Sequence, residues 1–435
     1  MKIVVIGTGY VGLVSGACFA DMGHDVVCVD KDPGKINRLN EGVIPIFEPG
    51  LEDIVKRNAS NGRLTFSVTL DNVLAESEIV LLAVGTPTDE ATGRADLKYV
   101  FAAAEEIARN INHKTVIVTK STVPVGTGKK VEKIFADICP KLVCEVASNP
   151  EFLREGAAIE DFMKPDRIII GAESAFSKNT MQRLYRSLIG EGTPILFTNI
   201  ATAELIKYAS NAFLATKIAF ANEISDICEG VGANVDLVIK GMGMDNRIGG
   251  KYMKPGPGYG GSCFPKDTLA LTFIAEDAGF PTGIVKSVIN SNDERRKRMV
   301  SKIINACGGS VKGKNISILG LTFKANTDDM RYSPSLIIIP ELIAAGANIS
   351  VYDPEGMNEA KKDLTQPEIN WYNDSHSCIE GADCLVILTE WDEFKNLDIT
   401  KVKSLLKTPL IVDLRNILNP EQLEGSGVEY VSVGR

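Results

Sequence analysis

The stretch richest in reactive side chains is Gly256-Pro257-Gly258-Tyr259-Gly260-Gly261-Ser262-Cys263-Phe264-Pro265-Lys266-Asp267. Four glycines ahead of a cysteine describe backbone that can come very close to a ligand. Lys266 and Asp267, directly after it, can favour a thiolate and handle a proton. The plainer alternative is a flexible loop with an incidental cysteine. The other cysteines, 18, 28, 139, 144, 228, 307, 378 and 384, mostly have apolar neighbours and read as small core residues. An odd total of nine with no C-x-x-C spacing argues against a disulfide scaffold or a structural zinc, so no metal site is expected.

Glu204, Lys207 and Asn211 share one helical face at spacings of three and four. Lys207, set beside Tyr208 and Ala209, can donate to a developing alkoxide, as can Asn211; taken alone, a snorkelling lysine is the plainer reading. Asn149-Pro150-Glu151-Phe152-Leu153-Arg154-Glu155-Gly156 gathers two carboxylates and an arginine, although unassisted it reads as a turn and a helix start. Histidine occurs only at 24, 113 and 376, none beside a catalytic partner, so an imidazole general base has poor material here.

What would position these groups is a pair of nucleotide-binding sheets. Gly7-Thr8-Gly9-Tyr10-Val11-Gly12 follows one strand and opens a helix, and Asp30 ends the next strand 18 residues past Gly12. That context fits a pyrophosphate on the helix N-terminus and a carboxylate on the adenine ribose, favouring NAD over NADP, with Lys31 and Lys35 tempering the preference. The alternative is a glycine turn serving only helix–strand packing. Gly85-Thr86-Pro87-Thr88 and Ser121-Thr122-Val123-Pro124 follow further strands and place hydroxyls at the crevice rim. Beside a dinucleotide a thiolate has a use: it can add to an aldehyde, giving a thiohemiacetal whose C–H can leave as a second hydride.

The βα pattern then recurs. Strand 3–6, a helix over about 11–22 and Gly23 through Asp30 are matched by strand 316–319, a helix over about 334–345 and Gly346 through Asp353. The fold class expected is α/β, two doubly wound Rossmann-like parallel-sheet domains joined by a long central helix. Ala201 to about Glu229 supplies that helix, free of glycine and proline. The division expected is 1–200 for an NAD-binding domain, 201–300 for a central helical domain with the cysteine loop and a dimer interface, and 301–435 for a second Rossmann-like domain. The second half lacks the G-x-G-x-x-G turn and would take a different nucleotide, with Lys324 and Arg331 flanking its crevice. A net charge of −9 argues against a nucleic-acid or anionic-membrane surface. No run reaches the ~18 apolar residues of a membrane span, and a cytoplasmic location is expected.

Together these motifs resemble the UDP-glucose 6-dehydrogenases of the UDP-glucose/GDP-mannose dehydrogenase family. The resemblance implies oxidation of UDP-glucose to UDP-glucuronate with two NAD per cycle, through a thiohemiacetal and a thioester on Cys263. It implies Lys207 and Asn211 as oxyanion donors, Asp267 with Thr122 ordering a water or relaying a proton, and Glu151 and Glu155 assisting hydrolysis. Gly7, Gly9, Tyr10, Val11, Gly12, Asp30, Lys35, Thr86, Thr122, Glu155, Lys266 and Arg331 are the implied NAD contacts. The implied UDP-sugar site is Glu151, Phe152, Leu153, Arg154, Glu155, Lys207, Asn211, Tyr252, Met253, Lys254, Pro255, Gly256, Gly260 and Lys324, with Arg247 reaching a neighbouring subunit's substrate in a homodimer or higher oligomer. A sister enzyme acting on GDP-mannose or a UDP-N-acetylhexosamine, a simple two-electron dehydrogenase, and a non-catalytic dinucleotide-binding redox sensor remain alternatives.

Overall fold

The computed structural model describes residues 1–142 and 144–435, the side chain of Gln422 aside. The chain forms two compact units, one of residues 1–210 with 276–278 and one of 211–275 with 279–435.

In the first unit the strands are β1 (Lys2–Ile6), β2 (Asp25–Val29), β3 (Leu64–Ser67), β4 (Ile79–Leu82), β5 (Val116–Thr119), β6 (Glu145–Ser148), β7 (Ile168–Ala172) and β8 (Ile195–Thr198). They form one sheet in the order β3-β2-β1-β4-β5-β6-β7-β8. Successive side chains point to opposite faces, and both faces are covered. Ile3 and Val5 pack with Leu13, Phe19 and Leu51, while Val4 packs with Leu82, Val100 and Ile107. Each such side chain taken from water contributes about 1.5–3 kcal/mol, which is why the central strands are unbroken apolar runs.

One pair departs from the parallel sheet expected: β6 and β7 run antiparallel, with Ala147 opposite Ala172. The only helix between them, Ala158–Met163, has six residues. It rises about 9 Å, too little to return the chain to the starting edge for a parallel crossover. Residues 149–157, read from sequence as a turn and helix start, form an irregular segment ahead of that helix.

The second unit contains β9 (Asn315–Leu319), β10 (Asn348–Tyr352), β11 (Ile369–Trp371), β12 (Cys384–Ile387), β13 (Leu410–Asp413) and β14 (Glu429–Ser432), in the order β11-β10-β9-β12-β13-β14. All five pairings are parallel. Numbered within each unit, both sheets share the 3-2-1-4-5-6 order, whose reversal next to the first strand opens a ligand crevice at the strands' carboxyl ends.

The repeat extends to single atoms. Gly7 and Gly320 have φ of +101° and +93°, and their amides donate to Val29 and Tyr352 at 2.7 and 2.9 Å. Gly23 and Gly346, with φ of +92° and +89°, follow helices Tyr10–Asp21 and Ser335–Ala344. The halves differ in where that helix begins. It starts three residues after Gly7 but fifteen after Gly320, so the second turn has no helix N-terminus upon it. His376 lies in the short helix Ser375–Ile379.

The connecting helix runs Ile200–Val231, 32 residues, about 48 Å at 1.5 Å per residue. Among the described residues no helix is long and apolar enough to cross a membrane.

Gly320→Ala tests the second turn. Its φ is unsuited to a side chain, and an added Cβ would stand 2.4 Å from that of Thr389. We expect a loss of about 2 kcal/mol or more in urea unfolding; an unmoved midpoint would contradict the reading.

Candidate active site

The first unit presents a dinucleotide-shaped turn whose three glycines do different work. A Cβ on Gly12 would sit 2.0 Å from the Gly7 carbonyl oxygen, and one on Gly7 would sit 2.6 Å from the Ala83 carbonyl oxygen, so both are required by packing. Gly9 has nothing within 4 Å of that position, and no side chain caps the helix that starts at Tyr10 beside Val11. An uncapped, unobstructed helix N-terminus suits a diphosphate. Asp30 at the end of β2 accepts from the Thr8 amide and hydroxyl at 2.8 Å and from the Asp32 amide at 3.0 Å. Burial opposes its charge, but these donors and the nearby Lys35 prevail and hold the carboxyl below its ordinary value. Lys31 pairs with Glu106 at 2.7 Å. Thr86 donates to the Thr122 carbonyl at 3.0 Å, joining the two hydroxyl-bearing turns after β4 and β5.

The same unit holds Glu151 and Lys207. Lys207 is 2% exposed, so the snorkelling alternative fails. Its ammonium meets Glu151 at 3.0 Å and lies 5.3 Å from the centre of the Phe152 ring, over which Arg167 also stacks. The other Glu151 oxygen accepts from the Leu153 amide at 2.5 Å. Burial works against the Glu151 carboxylate, yet Lys207 foremost, then the Leu153 amide and Lys120, keep it below the ordinary value. Arg154 is engaged with Asp161 at 2.6 Å. Glu204, one turn before Lys207, accepts from the amides of Gly126 and Gly128 at 2.7 and 2.8 Å. Burial pushes its carboxyl up to about 7 against those two bonds.

The second unit holds Asn211, Asp267 and Cys263. Asp267 is fully buried; Asn211 donates to one of its oxygens at 2.6 Å and Lys266 is paired with the other. Lys266 is thus ion-paired with Asp267. The Cys263 carbonyl accepts from the Asp267 amide at 2.8 Å, which makes Cys263 the residue that opens helix Phe264–Asp277. The dipole of that helix favours negative charge at its start. Cys263 is partly exposed, whereas six of the other cysteines are buried.

The glycine loop before Cys263 is pinned, so the flexible-loop alternative is also overturned. Asn222 accepts from the Gly256 amide at 2.8 Å, and Asn292 accepts from the Tyr259 amide at 2.8 Å and donates to its carbonyl at 3.1 Å. Arg295 donates to the Gly256 carbonyl at 2.9 Å, and Arg296 donates to the carbonyls of Tyr259 and Tyr332 at 2.8 and 3.1 Å. Packing within the chain by itself requires glycine at 260 and 261. A Cβ on Gly260 would lie 2.4 Å from the Tyr332 oxygen, and one on Gly261 would lie 2.7 Å from the Phe323 ring.

The remaining expected ligand residues belong to the second unit. Tyr252 has φ +62°, Met253 is buried, and Lys254 is exposed, although desolvation around its ammonium pushes that group down. Pro255 is also buried. Lys324 lies 5.3 Å from the centre of the Phe323 ring. Arg331 pairs with Asp329 and Arg247 with Asp245, both arginines being exposed.

Several site-forming residues escaped the sequence reading. Glu48, paired with the Tyr10 hydroxyl, accepts from the amides of Gly156 and Ala158 at 2.6 and 2.7 Å, and no local pattern signals this. Arg295 lies in the run Asp293-Glu294-Arg295-Arg296-Lys297-Arg298, which resembles a solvated face. Its spacing from Val288, Asn292, Met299 and Ile303 was the available signal, because it places Arg295 on the buried stripe of helix Gly283–Ala306.

Comparison with known proteins accords with this geometry. The sequence models of the UDP-glucose/GDP-mannose dehydrogenase family match residues 1–189 for the NAD binding domain, 201–294 for the central domain and 317–420 for the UDP binding domain. The chain is 54% identical over 437 aligned residues, all of both chains, to the UDP-glucose 6-dehydrogenase of Rhizobium meliloti (strain 1021). Its fold matches a UDP-glucose dehydrogenase from Pyrobaculum islandicum with a TM-score of 0.89 at 36% identity, over 99% of this chain and 96% of that one. It also matches a UDP-D-ManNAc dehydrogenase from Pyrococcus horikoshii with a TM-score of 0.87 at 28% identity, over 100% and 99%. With full-length relatives and three successive domain matches in the order its own site requires, the chain belongs to the UDP-glucose/GDP-mannose dehydrogenase family.

Proposed function

We propose that this protein oxidises C6 of UDP-glucose to the carboxylate of UDP-glucuronate, using two NAD per cycle and Cys263 as the acyl carrier. The observation that carries this reading is a partly exposed thiol at a helix start, on a loop held by buried Asn and Arg side chains. NAD, when bound, supplies the hydride acceptor for both oxidations. The Gly9 turn and Asp30 hold its diphosphate and adenine ribose. Tyr10, Val11, Lys35, Thr86, Thr122, Glu155, Lys266 and Arg331 are the further NAD contacts of this reading.

Lys207, oriented by Glu151, and Asn211, oriented by Asp267, donate to the oxygen on which charge develops. Loss of a hydride and a proton from the C6 alcohol leaves an aldehyde. The Cys263 sulfur bonds to the aldehyde carbon, whose oxygen takes up a proton, giving a thiohemiacetal. Loss of a second hydride and that proton gives a thioester. Water, assisted by Glu151 and Glu155 and ordered by Asp267 with Thr122, cleaves the C–S bond and returns the thiol. One alcohol, two NAD and one water thereby yield one carboxylate, two NADH and three protons.

We take residues 1–200, 201–300 and 301–435 as the NAD, central and UDP-sugar domains. Residues 151–155, Tyr252 through Gly256, Gly260 and Lys324 line the sugar nucleotide. Phe213, Phe220 and Ile227, exposed at intervals of seven on the connecting helix, supply an apolar stripe for a homodimer. The exposed Arg247 then reaches the partner's substrate. The reaction is placed in the cytoplasm.

Two NADH per sugar are expected with UDP-glucose; one NADH would indicate a simple dehydrogenase, and turnover of GDP-mannose alone would replace the substrate. Cys263→Ala is expected to abolish carboxylate formation while NAD still binds. Gly9→Ala separates binding from folding: with φ −70° and open space around it, it should leave the melting temperature unchanged. NAD binding should weaken about tenfold, or about 1.4 kcal/mol, and unaltered affinity would remove the diphosphate from this turn.

A further inference from the structure

Lys120, directly after β5, has no role in the chemistry above, yet its side chain is as buried as that of Lys207, at 4% residue exposure against 2%. Its ammonium donates to the Asn149 side-chain oxygen at 3.0 Å and lies 3.4 Å from the Tyr185 hydroxyl. Tyr185 donates to the same Asn149 oxygen at 2.5 Å, while the Asn149 amide nitrogen donates to the Ile169 carbonyl at 2.9 Å. Asn149 is thus held from three sides, and Glu151 lies two residues further on. Asn149, Tyr185 and Glu151 are 2%, 4% and 6% exposed, so water does little to screen charges in this group.

The charges acting on Glu151 are Lys207 from the connecting helix and Lys120 from the end of β5. Tyr185, which follows helix Ala175–Leu184, is kept protonated by burial. Two buried ammonium groups therefore accompany one buried carboxylate. A lysine retained in such a place with two neutral acceptors, at 3.0 and 3.4 Å, costs desolvation energy that a structural hydrogen bond does not require.

We propose that Lys120 is a positioning residue for the oxidation: it anchors Asn149, and as the second cation beside Glu151 it sets both the place and the charge of that carboxylate. This deepens the reading of Glu151 as the partner of Lys207 and rests on it. Burial pushes Lys120 down to about 8, with Glu151 opposing and Lys207 reinforcing the fall, so the second cation begins to be lost just above neutrality.

Two variants separate anchoring from charge. Lys120→Gln keeps a donor toward Asn149 without the cation, and Lys120→Met removes both. The Glu151 carboxyl is followed by 13C NMR titration of the ligand-free protein, with Glu151→Gln identifying its signal. Removing a nearby cation raises a carboxyl pKa, so both variants should titrate about one pH unit higher than the parent. The acid limb of kcat against pH should move up with it. In Lys120→Met we also expect kcat to fall about tenfold with the KM for NAD unchanged, and Lys120→Gln should recover most of that fall but not the titration. If Lys120→Met does not fold, Lys120→Gln carries the test alone. A folded Lys120→Gln with an unmoved Glu151 titration overturns the proposal. Because the titration needs no substrate, that failure is distinct from a parent enzyme that yields no NADH from UDP-glucose.

Discussion

A charge taken out of water must be met by a partner, and the connecting helix is built around that constraint. Glu204, Lys207 and Asn211 form one buried polar stripe on that helix, and they are 2%, 2% and 5% exposed. Leaving one buried ion of a pair without its partner costs about 3–5 kcal/mol, so each side chain fixes whatever answers it. Glu204 answers the first amides of helix Thr127–Ile138, Lys207 answers Glu151, and Asn211 answers Asp267. These three side chains stand on a helix, and each fixes the segment that answers it.

The cysteine loop follows the same rule with the roles reversed. Its own side chains contribute little, since glycine supplies most of them, and its backbone carbonyls and amides would be orphaned on burial. Asn222 on the connecting helix, with Asn292, Arg295 and Arg296 on helix Gly283–Ala306, satisfies those groups. Arg295 is 1% exposed and is further held by Asp226. A guanidinium offers five donors in a fixed plane, so one arginine can hold a stretch of glycine backbone that has no side chains of its own to pack. A nucleophile on such a loop starts each cycle from a defined place, which lowers the entropic cost of reaching the reacting carbon.

This explains what the sequence disclosed and what it withheld. The repeated strand–turn–helix pattern was legible because glycine at positive φ and an apolar strand are local requirements, written in the same residues that obey them. Lys207 and Asn211 were legible as sharing one helical face, and Cys263 as following a glycine-rich run. Glu48, Lys120 and Arg295 were not, because each is used by backbone or side chains far away in sequence: Glu48 serves residues 156 and 158, and Arg295 serves residue 256. A charged residue whose partner lies tens to a hundred positions away looks like surface until the partner is seen. Gly260 and Gly261 are ambiguous in sequence for a related reason. Glycine reports that something comes close without saying what, and here it is the chain's own Tyr332 and Phe323.

The two sheets carry this last point further, since nearly the same turn serves different ends in each. Asp30 and Asp353 both end the second strand of their sheet and both accept from a threonine hydroxyl near the glycine turn. Asp30 remains partly exposed with three donors, so its carboxylate keeps capacity for a ribose hydroxyl. Asp353 is fully buried and accepts from the amides of Leu321, Thr322, Glu355 and Gly356, the Thr322 hydroxyl and the Trp391 indole. Such a carboxylate has no lone pair left for a ligand; it has become the rivet of its own turn. Moving the helix start from three to fifteen residues past the glycine removed the anion site, and sealing the aspartate removed the ribose site. One architecture thus presents an open helix N-terminus beside its glycine turn in one sheet and a sealed turn in the other.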